Sequence, residues 1–114
     1  MDKQKLIEMG QVSELDYKEI KVLGDKCFIK QLNAGELSSY KKSLFKQVDK
    51  MFVANIENAE IKLVILTLCD ENKKLMFDMK DIELLKTLKP SVIDKIYKDA
   101  ESLNSLNDEE TLKN

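Results

Sequence analysis

The chain has no histidine and no tryptophan, and only one proline, three glycines and two cysteines among its 114 residues. Each shortage closes off a kind of chemistry. Without histidine, the commonest general base at neutral pH and the commonest metal ligand are both missing. Zinc would have to be held by Cys27, Cys69 and carboxylates, at no spacing that a zinc site uses. Gly10, Gly24 and Gly35 are too far apart to build a dinucleotide loop or a phosphate-cradling loop. Asp70-Glu71-Asn72 opens like a calcium loop, but Lys74 and Leu75 then stand where an oxygen ligand and a glycine are required. A thiol nucleophile needs a neighbouring base or a positive environment. Lys26 beside Cys27 does not supply one, because adjacent side chains of a strand point to opposite faces. The expectation is a protein with no catalytic activity, no metal and no cofactor, which works by binding other proteins. Both cysteines are read as free, buried, small hydrophobes in a reducing compartment.

Charge of one sign is also lacking. Nineteen basic residues stand against 21 acidic ones, for a net charge of −2. Nucleic-acid binders concentrate basic charge on one face so that released counterions drive binding. Here Lys41-Lys42 and Lys73-Lys74 are the only adjacent basic pairs, and each has acidic residues within a few positions, as on a solvated surface. A helix-turn-helix over residues 81–103 can be drawn, with its turn at Lys89-Pro90. Its second helix would begin Pro90-Ser91-Val92-Ile93-Asp94, with nothing basic to offer base edges, so a corner packed into a core is the better reading. The longest apolar run, Ile61 to Cys69, is broken by Lys62 and Thr67 and falls far short of the ~20 residues that span a bilayer. The charged N-terminus leads into no long apolar stretch, so no signal peptide, no nucleic acid and no membrane are expected.

What is present is charge in quantity: 35% of residues, against about 25% in an average globular chain. With 43% apolar residues, this describes amphipathic elements around a modest core. Residues 1–16 read as an arm or short helix, with Leu6, Ile7 and Met9 on one stripe and Gly10 at its end. Residues 17–32 read as a β-hairpin. Glu19-Ile20-Lys21-Val22 alternates, Cys27-Phe28-Ile29 is β-prone, and Gly24-Asp25 suits a type II′ turn.

Helices are expected over residues 33–104. Asn33 and Glu36 make a capping box. Leu37, Tyr40, Leu44, Val48 and Met51 follow at helical spacing, widened by Phe45 and Phe52. A second helix starts near Asn55 or Glu57 and runs to Cys69, with Ile61, Val64, Ile65, Leu68 and Cys69 on one face. Leu63 and Leu66 extend its apolar surface round the helix, as in an element buried on several sides. After the polar loop at residues 70–74, Leu75-Met76-Phe77 re-enters the core. Asp78 caps a short helix carrying Ile82, Leu85 and Leu88, and Pro90 opens the last helix. The stripe of that helix is Val92, Ile93, Ile96, Tyr97, Ala100 and Leu103, with Asp94 and Lys98 paired on its outer face. Residues 107–114 form a polar tail. The expected fold class is α+β, mainly α-helical: one small N-terminal hairpin followed by four or so helices.

Met51-Phe52-Val53 and Leu75-Met76-Phe77 are short, non-periodic apolar runs at element junctions. Met and Phe adapt to varied partner surfaces, so these six residues form the candidate partner-binding surface, with core packing as the plainer alternative for each run.

The order of these features resembles a known family. The stretch Gly24-Asp25-Lys26-Cys27-Phe28-Ile29-Lys30-Gln31-Leu32-Asn33-Ala34-Gly35-Glu36 gives a glycine turn, a strand and a helix opened by a polar cap and an acid. Leu63-Val64-Ile65-Leu66-Thr67-Leu68-Cys69 runs into an acidic polar turn, and Leu75-Met76-Phe77 follows. Then come Asp81-Ile82-Glu83-Leu84-Leu85 and a last helix ending Ala100-Glu101-Ser102-Leu103-Asn104-Ser105-Leu106. Over roughly residues 17 to 110 this resembles the tail assembly chaperones of siphophages and related prophages. One departure is the glycine usual in the polar turn, which is Lys73 or Lys74 here.

The resemblance implies a single chaperone domain over residues 17–106, acting in the cytoplasm of a bacterial host. Its implied partners are the tape-measure protein, which it keeps soluble, and the tail-tube protein, which it recruits. A second copy of the chain is a further partner that the resemblance admits. The protein is then absent from the finished tail. Many members are made in two lengths by a programmed frameshift, and Leu112-Lys113-Asn114 can be encoded by a slippery adenine run. The expectation is that this chain is the short product. The alternative is a structural phage protein of the connector or tail-completion type, which would be found in purified particles.

Overall fold

The computed structural model describes residues 1–54 and 57–104. The first helix, α1 (Lys3–Gly10), starts where the Asp2 carboxylate accepts the Lys5 N–H, and none of its residues is buried. A 3-10 turn over Glu14–Asp16, boxed by Ser13 and Asp16, then delivers the chain to the sheet.

Strands β1 (Lys18–Val22) and β2 (Asp25–Ile29) pair antiparallel, with Ile20 opposite Cys27. The hairpin is where the sequence puts it, but its turn is one residue earlier. Leu23 and Gly24 are the two loop residues, with φ 53° and 86°. Positive φ at both central positions makes a type I′ turn rather than the II′ turn expected at Gly24-Asp25. Period two then sorts the side chains: Ile20, Cys27 and Ile29 are buried, whereas Glu19, Lys21 and Lys26 face solvent.

Helix α2 (Ala34–Ser43) opens with the expected capping box, in which Asn33 and Glu36 each accept the other's backbone N–H. It ends sooner than its apolar stripe suggests. Residues expected to prolong the helix instead form a second hairpin, β3 (Phe45–Val48) with β4 (Met51–Ala54). Phe45, Val48, Phe52 and Val53 are β-branched or aromatic types that favour strands. Between the strands Asp49 and Lys50 adopt φ of 50° and 66°, which reverses the chain.

Helix α3 (Ala59–Thr67) follows a left-handed Asn58, φ 60°, so of the two expected starting points Glu57 is the nearer, and Asn55 lies outside the described residues. Leu63, Val64, Ile65 and Thr67 are buried, in keeping with a central helix. Leu68 and Cys69 do not continue it. They form β5 (Leu68–Cys69), which adds to β2 with Cys69 opposite Phe28 and completes a sheet ordered β1-β2-β5. An extended pair there satisfies the outer edge of β2, which a longer helix would leave open.

In the following turn the Asp70 carboxylate accepts the N–H groups of Asn72 and Lys74, and Lys73 is left-handed at φ 64°. Asp78 caps a 3-10 turn, Met79–Asp81, that runs into a one-turn helix, α4 (Ile82–Leu85), shorter than expected and without Leu88. Pro90 occupies the first turn of α5 (Pro90–Leu103), whose buried residues are Ile93, Ile96 and Ala100. Lys98 and Asp94 pair at 3.1 Å.

The expectation of a mainly helical domain with one hairpin is therefore corrected. Among the described residues there are five α-helices and five strands in two antiparallel sheets. The expected polar tail, 107–114, lies outside the described residues. No described helix is long and apolar enough to cross a membrane.

The core lies where α3 and α5 meet each other and the β1-β2 face. One polar residue ties these parts together. The Asn104 side chain, just past α5, accepts the Leu32 N–H at 2.8 Å and donates to the Ala100 and Lys30 carbonyls at 2.9 and 3.4 Å. It is 7% exposed, so these bonds are sheltered from water. Asn104→Leu keeps the volume and orphans the Leu32 N–H. The expected loss is about 2 kcal/mol in urea unfolding, the cost of an unsatisfied buried donor. A loss below about 0.5 kcal/mol would mean that water replaces the amide.

Candidate protein-binding surface

The β3-β4 hairpin is an arm on the end of α2. Its register pairs Phe45 with Ala54 and Gln47 with Phe52 on one face, and Lys46 with Val53 and Val48 with Met51 on the other. Every residue of both strands is exposed. Phe52 is 74% exposed and Met51 67%, values typical of charged side chains rather than of these two. The arm's main neighbour is α2, reached through β3. A two-stranded hairpin with water on both faces is marginal on its own. Apolar side chains lie exposed on both sides of it, which makes it the candidate surface.

Of the six residues singled out from the sequence, Met51, Phe52 and Val53 lie together on β4. Leu75 and Met76 are also exposed, at 48% and 44%, and do not enter the core as expected. Their backbone is used instead: Leu75 bridges to Cys69, and the Met76 N–H donates to the Leu68 carbonyl. Phe77 does pack against the core. The two runs sit on different elements: one forms β4, and the other is a loop whose Leu75 bridges to Cys69 of the β1-β2-β5 sheet. Sequence reasoning missed Phe45 and Val48, assigned to a helix stripe, and Met79, Leu84 and Leu88, all exposed. Leu6, Ile7 and Met9 of α1 form a further exposed stripe.

Helix α2 holds the arm, and its own root is an ion pair. Lys30 donates to Glu36 at 2.8 Å, both side chains being partly covered. Burial alone would raise the Glu36 pKa, but the bonds from Lys30 and from the Asn33 N–H outweigh it and hold the carboxyl below its ordinary range. Lys30 is raised, first by its bond to Glu36. A depressed carboxyl stabilises the fold above its unfolded value, and that contribution is lost as pH falls through the folded value. Urea midpoints of the wild type should therefore fall below about pH 4, the ordinary glutamate range. Glu36→Gln should be less stable near neutrality, with a difference that narrows towards pH 3. A difference independent of pH would show that the charge of Glu36 contributes nothing.

The two thiols offer little reactivity. Cys27 and Cys69 are free and buried, and burial raises both thiols, which keeps them protonated. Tyr97 is raised by burial and donates to Glu101 at 2.9 Å. A concavity between the start of α3 and the start of α5 is lined mainly by apolar groups such as Ile61, Leu85 and Ile93. Of the charged residues on its wall, Lys86 is already paired with Glu83.

No protein-family model, no curated protein and no solved structure matches this chain. The assignment of a role therefore rests on the chain's own residues.

Proposed function

We propose that this protein is a tail assembly chaperone of a siphophage or related prophage, which covers the apolar stripes of the tape-measure protein and brings tail-tube subunits to it during tail morphogenesis in the bacterial cytoplasm. The observation that carries the proposal is the β3-β4 arm, apolar on both faces and exposed along its whole length. The sequence pattern of residues 17–110 gives the arm its context, since that pattern resembles the same family.

A free tape-measure protein presents long apolar helical stripes to water. An arm bearing Phe45, Met51, Phe52 and Val53 can lie along such a stripe, while the charged faces of α2 and α5 keep the complex dispersed. The interaction has to be reversible, because the chaperone leaves before the tail is complete. Several medium-sized, half-exposed contacts suit that requirement better than one deep anchor. Co-expression with the cognate tape-measure protein should move it from the pellet to the soluble fraction, and purified particles should lack this chain. Equal precipitation with and without the chain would remove the chaperone assignment. A stoichiometric band in particles would favour the connector or tail-completion alternative.

A further inference from the structure

The chain's charge is segregated in a way that its net value hides. Residues 41–54 hold Lys41, Lys42, Lys46 and Lys50 against the single acid Asp49, a balance of +3 in a chain whose total is −2. All four lysines are exposed, and none forms an ion pair among the described residues. In one linear stretch this looks like a solvated surface. In the fold it coincides with the most exposed apolar element, because the same residues build the arm and its junction with α2. Lys41, Lys42 and Phe45 also line a groove along α2 with Ala34, Leu37 and Ser38. The floor of the groove is apolar, and its rim carries two cations.

Resting on the chaperone proposal, we infer that the arm and this α2 groove select partner segments that are amphipathic and acidic, with Asp or Glu flanking the apolar stripe. An apolar side chain of the partner fits against Leu37 and Phe45, where flanking carboxylates meet Lys41 and Lys42. Lys46, on the same face as Val53, and Lys50, in the turn, repeat the arrangement along the arm. Lysines in the last turn of α2 also favour that helix through its dipole. That role accounts for Lys41 and Lys42 but not for Lys46 and Lys50, which lie beyond the helix. Cations that rim an apolar surface speed encounter and choose among partners more than they add affinity. The selection is therefore one of charge sign.

The test uses the full chain and two labelled helical peptides with one apolar stripe, flanked by Glu in the first and by Lys in the second. Fluorescence anisotropy should show the Glu peptide binding at least about tenfold tighter at low salt, with the gap narrowing as salt screens the charges. The variant carrying Lys41→Glu, Lys42→Glu, Lys46→Glu and Lys50→Glu should reverse the preference, with far-UV circular dichroism confirming an unchanged fold. Equal binding of both peptides, or a preference the variant does not reverse, overturns the charge inference and leaves the chaperone proposal standing. Binding of neither peptide by a chain that light scattering shows to be monomeric overturns both. Neither peptide binding while light scattering shows an oligomer that the variant dissociates would instead assign the arm to a second copy of this chain.

Discussion

Leu63→Ala is expected to lower the unfolding free energy by about 3 to 4 kcal/mol, the middle of the range for a leucine truncated in a core. Leu63 is 0% exposed and sits on α3, the helix that meets α5 and leads directly into β5. Val64 and Ile65 beside it on the helix are also buried, at 0% and 2% exposure, as expected of an element packed on several sides. A domain of this size has about 5 to 15 kcal/mol in total, so the variant should retain its fold with a much lower urea midpoint. Leu66, one turn from Leu63 and only half-buried, provides the control: its truncation should cost clearly less. Similar losses at both positions would mean that α3 is not the central helix.

The second large effect should leave stability alone. Met51→Ser with Phe52→Ser removes two side chains that are 67% and 74% exposed, so the isolated protein should unfold within about 0.5 kcal/mol of the wild type. If the proposed function holds, the same double variant should lose most of the capacity to keep a tape-measure protein soluble, because those are the most exposed large apolar side chains of the arm. This separation of stability from activity is what distinguishes a docking surface from a core. Serine at Leu75 and Met76 gives a comparison on the other patch, where backbone pairing to Leu68 and Cys69 is independent of the side chains. A wild type that keeps a tape-measure protein soluble and a double variant at Met51 and Phe52 that does so equally well would move the proposed binding surface away from the arm.

Much of this was legible in the residues. The β1-β2 hairpin, the Asn33-Glu36 box, the buried α3 and the Pro90 start of α5 follow from period, cap chemistry and missing donors. The second hairpin was not. Leu44, Val48 and Met51 satisfy helical spacing, and Phe45-Lys46-Gln47-Val48 shows no alternation that would announce a strand. Asp49-Lys50 carries no glycine or asparagine to announce a type I′ turn, although both residues adopt its positive φ. The same ambiguity hid β5, since Leu68 and Cys69 fit the stripe of α3 but pair with β2. Met51, Phe52 and Val53 were singled out because Met and Phe cluster at a junction. Phe45 and Val48 were missed because their strand was. The charge pattern escaped for a different reason: lysines spread over ten positions become one surface only after the chain folds back at residue 49.

The tie made by Asn104 has a temporal side. Leu32 and Asn104 are 72 positions apart, yet one bond between them joins the sheet to the final helix. On the ribosome, β1 and β2 emerge early, with Ile20 and Ile29 waiting for a cover that α5 supplies only once nearly all described residues have been made. Domains whose decisive contacts are this distant fold late and slowly, and expose sticky strands in the interval. The nascent protein is thus itself briefly in need of the protection that it is proposed to give to another chain.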